Sequence, residues 1–517
     1  MTQRKRRVQA GLAALGVATA TALLVSGCTG TSTATPSGTP NADGTLVIGV
    51  TTDANTLYPW TTTQFQATNV LQNIYGTLTE FDENLEVVPG LAESWETSED
   101  GLTVTFTLRE GVTYSNGAAF DSADVVASLT AIKNPDTAAV SATNLASVST
   151  IEAPDASTVV LTLSAPDAAL VSKLAPVTMA ILDSDDTAAT LETAPNGTGP
   201  YMLDERKPNE SISLVRNTDY WGDTPGLGGI EFRVIPDEAA IVSALQSGNV
   251  QMAVFDDALV ADTIGASAEV AKTPQLNYHA LQFNSRKAPF DNLDLRLAIQ
   301  CAIDRQQVLD TAALGEGEVT GPITSPAFLS DPDARPCPEA DIETAEKHLA
   351  DAGYADGITI DAIVMQDGYS TAVAEAENVQ AQLAEIGITL NLEVLESGAY
   401  VDRWVAGDFG AAFALNGGQP DPDAMYGRYF TSTGNLNAVA GYSSDTLDAL
   451  FAAGKASNDL DERKQIYADV SKELEDNAVW VWLFTGYNYT ATAPSVQGFT
   501  PLPNGSLQYL RDTTITG

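Results

Sequence analysis

Apolar and polar residues alternate along several short stretches of the chain. Leu46, Ile48 and Val50 occupy every second position. Val104, Phe106 and Leu108 alternate with Thr103, Thr105 and Thr107. Val159, Leu161 and Leu163 repeat the pattern, as do Ile230, Phe232 and Val234, and then Leu390, Leu392 and Val394. A period of two puts successive side chains on opposite faces, so each stretch predicts a strand; the threonine-faced one predicts a sheet with one wet side. Val479 to Phe484 (VWVWLF) is apolar without a break, as expected of a strand covered on both faces. Helical spacing lies between these runs. Asp121 predicts an N-cap with Asp124 three residues on, followed by the stripe Val125, Val126 and Leu129. Pro236 and Asp237 open a second helix, with Ile241, Ala244 and Leu245 on one side and Gly248 at its end. Asp294 opens a third, burying Leu295, Ala298, Ile299, Ala302 and Ile303. A fourth runs from Asp341 to Gly353 with Ile342, Ala345, Leu349 and Ala352 apolar, and Ile466, Val470 and Leu474 mark a late one. Interleaved strands and helices without an internal repeat predict an α/β or α+β protein.

The N-terminus has a different texture. Arg4-Lys5-Arg6-Arg7 precedes the long apolar run Val8 to Gly27. A charged segment followed by an apolar one reads as an export signal. It ends in Leu24-Val25-Ser26-Gly27-Cys28, which resembles the lipobox of bacterial lipoproteins. The resemblance implies that residues 1–27 are removed and that Cys28 carries lipid. Thr29 to Thr45 (TGTSTATPSGTPNADGT) has no large apolar side chain, so 28–45 reads as a flexible tether with a reach of about 20–25 Å. No second stretch is apolar enough to span a bilayer, so membrane attachment is expected through the lipid alone.

Length and charge narrow the classes. At 517 residues the chain suits two or three domains, and 44% hydrophobic content supports a large core. Lys plus Arg total 25 against 68 Asp plus Glu, a formal charge of −43, and loss of the basic leader makes the mature chain more acidic still. Such a surface repels phosphate backbones, which argues against a nucleic-acid partner.

Catalytic and metal motifs are missing. The two histidines, His279 and His348, lie in separate segments, and there is no HExxH, no cysteine cluster and no GxSxG. Gly454-Lys455 is followed by Ala456, not Ser or Thr, and Asp421-Pro422-Asp423 lacks the glycine spacing and terminal Glu of a calcium loop. The expectation is no enzyme, no metal and no cofactor. Cys301 and Cys337 remain after Cys28; in an exported protein they favour a disulfide, with a buried Cys301 thiol as the alternative.

Several segments taken in order resemble one family, the solute-binding lipoproteins of ABC importers for peptides and nickel (extracellular solute-binding family 5). IYGTLTEFDENLEVVPGLAESWETSEDGLTVTFTLREGVTYSNGAAFDSADVVAS, from Ile74, carries the likeness most strongly. Asn196-Gly197-Thr198-Gly199-Pro200-Tyr201, Asn217 to Trp221 (NTDYW), and LQFNSRKAPFDNLDLRLAIQCAIDR from Leu281 continue it. AEKHLADAGY, VQAQLAEIGI and ERKQIYADVSKELEDNA follow in the family order. The resemblance implies an α/β, two-lobed periplasmic-binding-protein fold with an extra subdomain (cluster C type). It implies a first lobe over 46–280 with the extra subdomain at about 65–190, a second lobe over 281–484, and a return to the first lobe over 485–517. Hinge strands are expected near Leu281–Asn284 and Leu483–Tyr487. It also implies a monomer that closes on a small peptide or another polar solute and delivers it to permease subunits with their ATPases. A sensor or chaperone-like binding protein on the same fold is the alternative.

The likeness breaks at the expected ligand site. Peptide-binding members share Trp-x-Ala-Asp-x-x-Asp-Pro, whose first Asp holds the peptide ammonium. Here the segment reads Leu415-Asn416-Gly417-Gly418-Gln419-Pro420-Asp421-Pro422-Asp423, and the Asp421-Pro422 register places Gly418 at that Asp. Asn416, Gln419 and Tyr426 would then offer neutral hydrogen bonds, and an N-blocked peptide, a nickel chelate or a saccharide becomes a candidate solute. A shifted register would let Asp421 or Asp423 take the ammonium instead. Gly417 and Tyr487 complete the candidate cleft residues.

Overall fold

The computed structural model describes residues 40–366 and 369–516. The basic leader, the apolar run, Cys28 and most of the tether lie outside the described residues. The chain opens with β1 (Thr45–Val50), whose Leu46 and Ile48 are buried, and then α1 (Phe65–Leu71). A four-stranded antiparallel sheet follows: β2 (Ala92–Thr97), β3 (Thr103–Leu108), β4 (Val148–Asp155) and β5 (Thr158–Leu163), in the order β2–β3–β5–β4. Val104, Phe106 and Leu108 face its core while the threonines of β3 face outward, as the alternation predicts.

Helix α2 (Ser122–Lys133) packs on this sheet. Its capping box forms: the Asp121 side chain accepts from the Ala123 amide and Asp124 accepts from the Asp121 amide. Val125, Leu129 and Ile132 make the buried stripe, and Val126 lies beside it, half-buried.

The chain then completes the first sheet with β6 (Tyr201–Lys207), β7 (Ser211–Arg216), β8 (Gly229–Val234), helix α3 (Glu238–Gln246), β9 (Met252–Phe255) and β10 (Glu269–Pro274). Asp237 caps α3 through the Ala240 amide, and Gly248 ends it at φ +75°. β1 lies in the middle, parallel to both β8 and β9.

The second sheet begins with β11 (Tyr278–Phe283), all six residues buried, ahead of the Leu281 expected from sequence. Next come α4 (Leu293–Ala302), α5 (Ile342–Asp351), β12 (Ile358–Met365), α6 (Ala372–Glu385), β13 (Ile388–Leu395) and β14 (Ala411–Asn416). The helices α7 (Asp445–Ala456) and α8 (Leu460–Asp476) lead into β15 (Trp480–Trp482). The strand order is β13–β12–β14–β11–β15. Both faces are covered: Val481 and Leu483 join one core and Trp480 and Trp482 the other, which accounts for the unbroken VWVWLF.

Two details differ from the sequence expectation. Asn292, not Asp294, caps α4, with its Oδ1 accepting from the Asp294 and Leu295 amides; Asp294 is left free to meet His348 at 2.8 Å. Ile342 stands outside the α5 stripe, whose buried members are Ala345 and Leu349. Cys301 and Cys337 are joined in a disulfide with Cα atoms 5.1 Å apart, tying α4 to the loop before α5, and Cys301 is also fully buried.

A further strand, β16 (Tyr487–Thr492), returns to the first sheet between β9 and β10. The chain therefore passes between the sheets at Gln275–Asn277 and at Gly486. The passages lie side by side: the Gln275 amide donates to the Gly486 carbonyl at 2.9 Å, and Thr485 Oγ1 lies 2.7 Å from the carbonyl oxygens of both Gln275 and Asn277.

Candidate functional site

Leu276, in the first passage, and Gly418, after β14, meet at the centre of a cleft between the two halves. The Gly418 amide donates to Asn277 Oδ1 at 3.4 Å. A Cβ on Gly418 would lie 1.9 Å from the Leu276 carbonyl oxygen, so glycine is required here by close approach of two backbones. Two adjoining cavities of about 300 and 540 Å³ open around this contact, and both are lined by Phe65, Asn69, Leu276, Gly418 and Asn504. The smaller one adds Tyr75, Phe81, Tyr220, Trp221, Gln419, Glu80 and Arg511; the larger adds Glu238, Asp256, Asn277 and Leu415.

Of the residues singled out from sequence, Gly418 and Gln419 line this space. Gly417 is exposed beside them, its carbonyl accepting from Arg428 at 3.4 Å. Asn416 ends β14 opposite Tyr278, buried, with no partner for its Nδ2 among the described residues. Asp421 is engaged elsewhere. Its Oδ2 pairs with Arg463 at 2.8 Å and its Oδ1 accepts from the Asp423 amide. Asp423 lies between Lys455 at 3.4 Å and Lys173 at 4.0 Å; burial outweighs these two cations and raises its carboxyl above the ordinary range. Neither carboxylate reaches the two cavities. Tyr426 is wholly buried in the second core, where its hydroxyl donates to the Pro322 carbonyl and accepts from Trp482 Nε1. Tyr487 stands at the second passage with its hydroxyl 3.2 Å from Glu318, pushed up to about 12 by burial and that carboxylate, and lines neither cavity.

Glu80 and Arg511, which sequence reading does not single out, form an ion pair of 2.7 Å in the wall of the smaller cavity. Glu238 and Asp256 were missed for a traceable reason. Each belongs to a doubled acid, Asp237-Glu238 or Asp256-Asp257, and one member of each pair is a helix cap. Asp294, His348 and Asp351 bring three potential metal ligands within 4.8 Å at the α4–α5 surface, but none lines the cavities.

Residues 86–437 match the family model described as bacterial extracellular solute-binding proteins, family 5 Middle. That match covers more than half of the chain. The protein belongs to the family 5 bacterial extracellular solute-binding proteins.

Relatives of this solute-binding protein align over most of their length. Heme-binding protein A of Haemophilus influenzae is 26% identical over 84% of this chain and 85% of its own. The glutathione-binding protein GsiB of Salmonella paratyphi A is 27% identical over 90% and 93%. The structure of HbpA2 from Haemophilus parasuis superimposes with a TM-score of 0.84 and 26% identity, covering 92% of this chain and all of that one. The fold is therefore the two-lobed one of this family. The named relatives are binding proteins, and proteins of this family serve ABC importers. No helix among the described residues is long and apolar enough to cross a membrane.

Proposed function

We propose that this protein is anchored through Cys28 to the outer face of the cytoplasmic membrane, captures a small polar solute between its lobes as a monomer, and delivers it to a permease with its ATPases. The supporting observation is the pair of cavities beside the two adjacent chain passages, Gln275–Asn277 and Gly486, that join the lobes. Such a joint lets one lobe rotate on the other, and a solute touching both favours the closed arrangement by its differential affinity. On this reading the lobes divide at Gln275–Asn277 and Gly486, where the two passages lie side by side. The cleft candidates retained from sequence are Gly418 and Gln419, with Asn69 and Asn504 added from geometry. Relatives are named for heme and for glutathione, and cavities of about 300 and 540 Å³ leave room for a small peptide or another polar solute.

A solute present at 100 times its Kd should stabilise the protein by about 2.7 kcal/mol, seen as a thermal shift. Native mass spectrometry of the protein as isolated should show a bound small molecule. Cys28→Ser should move the folded protein out of the membrane fraction. Full membrane retention of that variant would refute the anchor, and failure of every tested solute to shift the melting curve would count against capture.

A further inference from the structure

We propose that the solute carries a positive charge at one end and no free carboxylate, and that Glu238 and Asp256 of the first lobe hold the cationic end. This deepens the capture function proposed above and rests on it.

The charges around the cleft are few. Glu80, Arg511, Glu238 and Asp256 line the two cavities. The first two neutralise each other at 2.7 Å. Glu238 and Asp256 accept no hydrogen bond and meet no cation among the described residues, while Asp237 and Asp257 beside them cap helices through the Ala240 and Leu259 amides. Among the described residues the cleft therefore presents two unpaired carboxylates, Glu238 half-buried and Asp256 exposed, and no free cation. A carboxylate on the solute would be desolvated against like charge; an ammonium or guanidinium would gain from both acids. Burial, together with Asp256, Asp257 and Asp237, holds the Glu238 carboxyl above its ordinary value, the behaviour of an acid that lacks a counter-ion.

The position of these acids points to a ligand independently of their charge. They follow the carboxyl ends of β8 and β9, which flank β1 and run parallel to it. The crevice outside the carboxyl ends of parallel strands, where connections leave to either side of a central strand, is where open α/β sheets bind ligands. Asn69 supplies a second sign. It is 5% exposed and lines both cavities. Its Oδ1 accepts from Gln72 at 3.0 Å, while its Nδ2 donates to none of the described residues. In the smaller cavity Trp221 Nε1 and Thr198 Oγ1 are buried with no partner among the described residues. Unpaired donors at that end suit a neutral body rich in acceptors, such as amide carbonyls. The second-lobe ammonium position is closed, because the Leu276 carbonyl occupies the space a side chain at Gly418 would need. The cation anchor thus lies in the opposite lobe.

The test uses the full chain purified in detergent. Alanyl-leucine, leucyl-leucine and alanyl-leucyl-tyrosine are each titrated calorimetrically in three forms: C-terminal amide, free peptide and N-acetylated acid. The amides should bind at least tenfold tighter than the free peptides, and the N-acetylated acids should not bind. E238Q/D256N should weaken amide binding at least tenfold, with a melting midpoint in the absence of peptide no lower than the parent's. Equal or tighter binding of the free or acetylated acids overturns the inference, as does unchanged amide binding by E238Q/D256N. Absence of binding by all three forms overturns it too. Native mass spectrometry of the protein as isolated then separates the two readings: an anionic co-purified solute leaves capture standing and removes only the cation site, whereas no solute and no binding count against both.

Discussion

Replacing Asp421 by Asn removes a carboxylate that is 3% exposed from a guanidinium, Arg463, that is 8% exposed. The oxygen and nitrogen are 2.8 Å apart. Arg463 Nε remains bonded to the Gly454 carbonyl at 3.0 Å, and the Phe328 and Tyr467 rings lie 5.4 Å from its charge centre. The cation therefore stays in a largely apolar site with one charge partner lost. Breaking one side of a buried pair costs about 3–5 kcal/mol, most of it the uncompensated charge left behind. The Asn keeps an oxygen for the Asp423 amide, so the loss is one of charge and not of the local turn. Urea unfolding followed by tryptophan fluorescence reads the effect, because Trp480 and Trp482 lie in the same core as Tyr467. A two-lobed protein can unfold in more than one step, so the change is assigned to the step that these tryptophans report. Asp421→Leu combined with Arg463→Met should recover most of the loss, and the double-mutant cycle should give at least about 2 kcal/mol of coupling. If D421N costs less than about 1 kcal/mol, or the cycle shows no coupling, Asp421 is not committed to Arg463, and it returns as a candidate for the solute.

Gly418→Ala should destabilise by about 1–3 kcal/mol through collision with the Leu276 carbonyl; a midpoint within about 0.5 kcal/mol of the parent would refute the close approach. Cys301 and Cys337 close a loop of 36 residues in sequence separation, so their joint replacement by Ser should cost roughly 4 kcal/mol in the chain-entropy account, and the natively exported protein should show no free thiol on denaturation until reductant is added. Two titratable thiols without reductant would exclude the bridge. Asp423 is raised by burial, so the folded state holds its proton more tightly and stability falls as pH rises through that window. D423N should therefore gain on the parent above the folded value, with the difference vanishing below about pH 4, where both states are protonated; a deficit of D423N that is largest at neutral pH would reverse the sign.

Local patterns in the sequence translated well into local structure. The threonine alternation gives β3, the Asp121-x-x-Asp124 pair gives its capping box, and VWVWLF gives a strand with a core on each face. Ambiguity arose where two residues could serve the same local purpose. Asn292 and Asp294 can both cap a helix, and only the neighbouring His348 shows why the second was left over. The site is harder to read because it is built from separations no window spans. The Asp421–Arg463 pair joins residues 42 apart, and the Glu80–Arg511 pair joins residues 431 apart. The choice of Tyr426 as a cleft residue failed for the same reason. Its aromatic ring and hydroxyl suit a ligand, but Pro322 and Trp482 satisfy them inside the core. The Leu276 carbonyl that fills the space beside Gly418 could not be read from sequence, because it lies 142 positions away in the chain.

Pro40 pairs with Thr516 in a β-bridge, and the Asn41 amide donates to the Ile515 carbonyl at 2.7 Å. Both ends of the described body are thus fixed to the same patch of the first lobe. A support, tag or tether attached at either end grips the same part, and the backbone path from there to the second sheet runs through Gln275–Asn277 and Gly486. In mechanical terms the proposed capture makes the first lobe the stator and the second the rotor. With either end immobilised, the proposed capture should swing Trp404, Trp480 and Trp482 against a stationary Trp60, Trp95 and Trp221.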